Sequence, residues 1–218
     1  KLLTGINQEF GKSAEVRYIS GCDFDGDDQS DFSQAKELAK WADVVILCMG
    51  EKGSWSGENN SHAKIELPEI QQQLIEIVHK AGGKIVLALA SGRPVILGSA
   101  VQASDAILEI WHPGILGGEA LAGILSGRYN PSGKLAMTFP YSQGQIPIYY
   151  NRRNSARRHQ GFYKDMTSEP LYPFGYGLSY THFTYGVPVA DKLTVSKDDH
   201  FSITIPVTND GGMNGKEA

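Results

Sequence analysis

Three features of the sequence predict an α/β fold built on a mostly parallel sheet sandwiched between helices. Residues 44–49 and 85–89 are apolar at consecutive positions, without the alternation of a half-exposed strand. Strands of that kind are buried on both faces, the habit of parallel sheets covered by helices. Segments with helical apolar spacing stand between them, and glycines and prolines punctuate the joins, as where strands and helices alternate.

The elements run in order along the chain. Residues 2–10 carry Leu2, Leu3, Ile6 and Phe10 at the spacing of one helix face. Glu15-Val16-Arg17-Tyr18-Ile19 alternates as a strand would. An acidic loop at 21–31 leads to a helix at 32–41 with Ala35, Leu38, Ala39 and Trp41 facing inward. The strand at 44–49 runs into a polar loop. Leu67-Pro68-Glu69-Ile70 opens the next helix: Pro68 suits its first turn, Ile70, Leu74, Ile77 and Val78 line one face, and Gly82 stops it. The strand at 84–89, a short helix within 94–101, a strand at 106–111, a helix at 117–125 and a strand at 134–139 complete the α/β series.

Composition changes after Pro140. Residues 141–173 are rich in Tyr, Arg, Asn, Gln and Pro without a period, and their aromatic density argues for an ordered loop or linker rather than a disordered one. Residues 201–209 alternate with period two and end in Asp210-Gly211-Gly212, the pattern of an antiparallel strand and turn. One hairpin is too little to stand alone, so this region reads as a truncated β-sandwich. The expected division is an α/β domain at 1–140, a linker and domain-joining segment at 141–185, and a truncated all-β segment at 186–218. Both ends read as cut.

The bulk properties exclude several classes. A chain of 218 residues supports one substantial core and a small appendage. A net charge of −4 and the lack of a basic, aromatic-interleaved tract argue against nucleic acid. No apolar run approaches the ~18 residues of a membrane span. Cys22 and Cys48 match no metal or redox spacing; Cys48 is expected to pack as a small hydrophobe within its strand. Gly-x-Ser-x-Gly is absent, and no dinucleotide fingerprint follows a strand.

The chemistry-bearing stretch is Gly50-Glu51-Lys52-Gly53-Ser54-Trp55-Ser56-Gly57-Glu58-Asn59-Asn60-Ser61, a glycine-hinged loop at the carboxyl end of an apolar strand. Open α/β sheets bind ligands at that end. Two carboxylates, two amides and an indole are the groups carbohydrate chemistry uses. Asp23, Asp25, Asp27 and Asp28 mimic the start of a calcium loop, but its sixth position is Asp28 rather than Gly and its twelfth is Gln34. A solvated acidic turn is the better reading, and Ser91-Gly92-Arg93-Pro94 likewise reads as a strand-to-helix turn.

Several of these segments together resemble glycoside hydrolase family 3, in its multidomain β-glucosidase and β-xylosidase branch. The 50–61 loop resembles the family's acid/base loop. Asn130-Pro131-Ser132-Gly133-Lys134-Leu135 with Thr138-Phe139-Pro140, and Leu171-Tyr172-Pro173-Phe174-Gly175-Tyr176-Gly177-Leu178-Ser179-Tyr180-Thr181, resemble two further family segments. The latter marks the join to a fibronectin type III-like domain, whose first strands 207–211 and 215–217 resemble. The resemblance implies a retaining exo-β-glycosidase, β-glucosidase favoured over β-xylosidase, acting on an oligosaccharide or glycoside. Its nucleophilic aspartate would lie in an N-terminal (β/α)8 barrel absent from this chain, so the chain alone would be inactive. No metal or organic cofactor is implied, and a periplasmic or extracellular location is expected by resemblance only.

By its place in the motif Glu58 is the candidate acid/base. Its proton must be held near neutral pH, by partial burial or a neighbouring anion. Glu51, directly after the strand, suits a loop-fixing role, with substrate contact the alternative. Trp55 either stacks on a sugar or staples the loop; Asn59 and Asn60 either bond sugar hydroxyls or turn the chain. His62 stands where the resemblance leads one to expect arginine, whose bidentate fork imidazole cannot copy, and has no partners spaced for metal binding. The alternative from another class is a noncatalytic carbohydrate-binding or domain-docking module, which would keep Trp55 and the amides and tolerate loss of Glu58.

Overall fold

The computed structural model describes residues 1–151 and 163–218; part of the 141–173 linker therefore lies outside the described residues. The chain separates into two compact units, Lys1–Ala122 with Leu135–Tyr176, and Gly123–Lys134 with Gly177–Ala218.

The first unit holds helices α1 (Leu2–Phe10), α2 (Phe32–Trp41), α3 (Glu69–Lys80) and α4 (Ala100–Ala103), and strands β1 (Val45–Gly50), β2 (Ile85–Ala90) and β3 (Ala106–Glu109). Helix α5 (Gly117–Leu125) begins in it. The strands form one parallel sheet in the order β1-β2-β3, with Leu47 opposite Leu87 and Leu87 opposite Ile107. The α/β expectation thus holds, with three strands in the sheet. Central β2 is the one buried on both faces: Ile85, Leu87, Ala88 and Leu89 have no exposure. Leu47, Met49, Ile85, Leu87 and Leu89 share a core with Phe32, Ala35 and Ala39 of α2 and Ile70, Leu74 and Val78 of α3. β1 is an edge strand, and its Cys48 is exposed rather than packed as expected; both cysteines are free.

Helix α3 shows how the sequence sets an element. Glu69 in its first turn and His79 and Lys80 in its last complement the helix dipole. Gly82 (φ +88°) ends it, with Gly82 N–H donating to His79 O at 2.9 Å and Gly83 N–H to Val78 O at 3.3 Å, which satisfies the last carbonyls. Helices α1 and α5 cross at Gly5 and Gly118: a Cβ on Gly5 would lie 2.1 Å from the Gly118 carbonyl oxygen. Close packing is the role of that glycine.

Three expected elements differ: the short helix expected within 94–101 is α4 at Ala100–Ala103, and two expected strands lie outside the sheet. Residues 15–19 join no ladder. Tyr18 is exposed there, and the Arg17 guanidinium lies 4.0 Å from the ring centroid of Trp41, which is therefore an outer rather than an inner residue of α2. Residues 134–139 are not a sheet strand: Leu135 and Phe139 exchange hydrogen bonds with 171–176 instead. Phe139 nevertheless enters the core, with ring centroids 6.0 Å from Trp111 and 6.5 Å from Tyr172.

The second unit carries β4 (Phe183–Tyr185), β5 (Val189–Ala190), β6 (Ile203–Thr204) and β7 (Val207–Asn209), paired antiparallel as β4-β7 and β5-β6. The single strand expected at 201–209 is split because Pro206 has no N–H; its carbonyl accepts from Gly186 N–H at 2.8 Å, and the register slips by one residue across that point. Asn130 organises the unit: its Oδ1 accepts from Ser179 Oγ at 2.9 Å and from Tyr180 N–H at 2.8 Å, and its Nδ2 donates to Asn214 O. Two of the segments that carry the sequence resemblance therefore hold each other.

Candidate active site

The polar loop leaves the carboxyl end of β1 through a braced root. β1 is an edge strand, so the N–H and C=O of Gly50 on its outer side need partners from outside the sheet. The buried side chain of Gln71, on α3, acts as a substitute strand: Gly50 N–H donates to its Oε1 at 2.8 Å, and its Nε2 donates to Gly50 O at 2.8 Å and to Phe24 O at 3.3 Å. Gly50 itself sits at φ +135°, and a Cβ there would lie 1.8 Å from the Ala90 carbonyl oxygen. Only glycine fits this joint.

Beyond the root the chain is gripped by one guanidinium. Glu51 is buried, its N–H donating to Ala90 O at 3.0 Å. Arg93 Nε donates to Glu51 Oε2 at 3.1 Å, while Arg93 Nη2 donates to the carbonyl of Trp55 and to that of Asn60 at 3.4 Å. The carboxylate 4% exposed and the guanidinium 21% exposed make this a largely desolvated pair, the kind that is costly to break singly.

Between the two gripped carbonyls the chain makes a tight turn. Asn60 N–H donates to Gly57 O at 3.2 Å, which puts Glu58 and Asn59 at the corners. Asn59 adopts φ +62°, a conformation asparagine tolerates better than most residues, and Gly57 adopts φ +110°. Asn60 Nδ2 donates to Ser56 O at 3.4 Å and Glu58 O at 3.2 Å. Both asparagines shape the turn. Glu58 is exposed, and among the described residues its carboxylate has no ion pair or hydrogen bond.

The aromatic and basic residues of the loop lie together. The rings of Trp55 and His62 are 5.3 Å apart at 45°, and Lys52 Nζ lies 5.6 Å from the Trp55 centroid. Lys52 also pairs with Asp25 at 2.7 Å, a hydrogen bond that raises the ammonium pKa above its ordinary value. The acidic loop thus ties back to the polar loop through Asp25, and two of its other carboxylates satisfy local N–H groups: Asp23 accepts from Phe24 and Asp28 from Ser30.

Loops from all three strand ends converge here. A Cβ on Gly92, after β2, would lie 2.0 Å from Ser56 Oγ, after β1, and 3.0 Å from His112 Nε2, after β3. Ser91 Oγ donates to Arg93 O at 2.8 Å and lies 3.4 Å from the carboxylate of Glu109, the last residue of β3. Glu109 Oε1 accepts from Trp111 N–H at 2.7 Å, across a backbone with Trp111 at φ +47°. Burial pushes the Glu109 carboxyl up to about 8, against the pull of those two bonds.

Sequence reasoning brought Glu51, Trp55, Glu58, Asn59, Asn60 and His62 to one loop, and they do lie there. It passed over Arg93, Gln71 and Glu109. Arg93 was visible as a cation in a turn at a strand end. Gln71 shares the helical spacing of Leu74, Ile75 and Val78, a polar residue on an apolar face. Glu109 was the lone carboxylate in an apolar strand run.

Known proteins share this architecture. The model of the glycosyl hydrolase family 3 C-terminal domain matches residues 1–180. A β-xylosidase from Formosa agariphila is 35% identical over 99% of this chain and 30% of its own length. A periplasmic β-glucosidase from Salmonella typhimurium is 36% identical over 98% of this chain and 32% of its own. Among solved structures, a mutant β-glucosidase from Listeria innocua in complex with laminaribiose superimposes with a TM-score of 0.78 at 37% identity, over 89% of this chain and 27% of that one. The chain spans about a third of the length of the curated relatives it matches. The family match over most of the chain, and relatives aligned along nearly all of it, lead to one conclusion: the chain belongs to glycosyl hydrolase family 3, and its match is to that family's C-terminal domain.

Proposed function

We propose that the chain is part of a retaining, exo-acting β-glycosidase, a β-glucosidase in preference to a β-xylosidase, and that Glu58 is its general acid/base. The observation that carries this reading is an unpaired carboxylate at the exposed corner of a turn that the rest of the chain holds in place. In a retaining mechanism one carboxyl group attacks the anomeric carbon while a second protonates the departing oxygen, then deprotonates the incoming water. The two stand ~5–5.5 Å apart. The nucleophile is assigned to an aspartate on an N-terminal (β/α)8 barrel of the same polypeptide, whose approach would desolvate Glu58 and hold its proton. Trp55 and His62 would form the rim that meets the sugar or the barrel, and Glu51 would hold the loop. Relatives of both glucosidase and xylosidase description support the class, and the solved β-glucosidase neighbour favours glucose. In the same reading residues 1–140 are the acid/base-bearing domain, 141–185 are the domain-joining segment, 186–218 begin a fibronectin type III-like domain, and the protein works in the periplasm or outside the cell.

The test is Glu58→Ala in the full-length polypeptide. Hydrolysis of alkyl β-glucosides should fall by ~10²–10⁴-fold, the usual worth of general acid catalysis. Glycosylation by dinitrophenyl β-glucoside, whose leaving group needs no proton, should fall far less. Azide should restore deglycosylation and yield the β-glucosyl azide. Equal loss for every leaving group, without azide rescue, sinks the assignment; full activity in the variant favours a noncatalytic module.

A further inference from the structure

We propose that Arg93 is the positioning residue for the acid/base loop, an inference that rests on the reading of Glu58 as acid/base. Its guanidinium donates to two carbonyls five residues apart, Trp55 O and Asn60 O, which flank the turn bearing Glu58. The third contact, Nε to buried Glu51 Oε2 at 3.1 Å, fixes the guanidinium to the root of the loop. Its backbone is held as well: Ser91 Oγ donates to Arg93 O at 2.8 Å, and Pro94 is next in the chain. The turn itself is poor in other restraint. Within it are one i to i+3 hydrogen bond and the side-chain bonds of Asn60, and its corner residues are exposed. The planar fork suits this task because one rigid group must reach a carboxylate and two carbonyls at once. An ammonium is a point charge that cannot reproduce that geometry. Arg93 touches neither the proton nor the sugar; it determines where Glu58 stands when the leaving oxygen arrives.

The experiment compares wild type, Arg93→Lys and Glu58→Ala in the full-length polypeptide. Arg93→Lys keeps a cation beside Glu51 while releasing the fork. Amide hydrogen exchange at residues 55–60 should accelerate by about 10-fold or more, with the sheet unchanged. kcat/KM for phenyl β-glucoside should fall by roughly 10²-fold, the cost of displacing a catalytic group by about 1 Å. For dinitrophenyl β-glucoside the loss should stay within about threefold, since no proton is needed. Should Arg93→Lys fail to fold, the pair Glu51→Gln with Arg93→Met removes both charges together and leaves no unpaired carboxylate. Unchanged exchange at 55–60, or equal loss for both leaving groups while Glu58→Ala shows leaving-group selectivity, overturns the inference alone. A Glu58→Ala variant without that selectivity overturns the acid/base reading and, with it, the catalytic role of Arg93.

Discussion

Replacing Glu109 by glutamine should make the chain more stable in alkali and leave it nearly unchanged in mild acid. In the folded chain the Glu109 carboxyl is raised from 4.5 to about 8, with burial the leading cause. Below the lower value the group is neutral in folded and unfolded chains alike, and its full contribution to stability is present. Between the two values the unfolded chain gives up its proton while the folded chain keeps it, so stability falls as pH rises, at ~1.4 kcal/mol per pH unit. Above the upper value both are ionised and the loss is constant. The interval sets an upper bound of about 5 kcal/mol; solvent screening of a group that is only partly buried brings the expected figure nearer to about 2 kcal/mol. Glutamine does not titrate, yet it can still accept from Trp111 N–H and donate to Ser91 Oγ, so the comparison isolates the charge. Urea denaturation of the 218-residue chain, followed by tryptophan fluorescence, gives the answer. With m near 2 kcal/mol/M, the midpoint of Glu109→Gln should exceed that of the parent by about 1 M at about pH 8.5 and by little at about pH 5. A midpoint difference that is flat with pH, or that grows towards acid, refutes the reasoning.

Two further predictions concern the loop root. Gly50→Ala should prevent normal folding of the sheet end, because its Cβ would lie 1.8 Å from a backbone oxygen at a φ of +135°; a destabilisation above about 4 kcal/mol in the same denaturation assay is expected. Gln71→Leu keeps the volume but leaves Gly50 N–H and C=O unpaired. A cost of about 1–3 kcal/mol per orphaned group, measured by urea midpoint, should be accompanied by faster amide exchange at Gly50.

The legible part of the fold was the part in which local pattern and burial agree. The apolar runs at β1, β2 and β3 announced themselves because a parallel sheet demands apolar residues at successive positions. Residues 15–19 and 134–139 also carry strand-like residues, yet neither joins the sheet, because pairing is decided by where the assembled chain places a segment and not by its local pattern. Pro206 was in plain view in a strand pattern and marked the split between β6 and β7. At the site, the loop was legible as a contiguous string of polar residues. Arg93, Gln71 and Glu109 stood out locally as polar residues in a turn or on an apolar face, but the partners they reach lie 18 to 47 residues away, and nothing local identifies those partners.

Gly92 has a consequence for how the rim of this sheet can change. Ser56, Gly92 and His112 meet where there is room for a hydrogen and no more. Any larger group there would act as a wedge, prying apart loops that issue from three different strands. Ile115, exposed at the surface after β3, offers a place where the margin can be given new chemistry without loosening that joint. The arrangement behaves as a hub with stiff spokes, open to redecoration at the tips and closed to it at the centre.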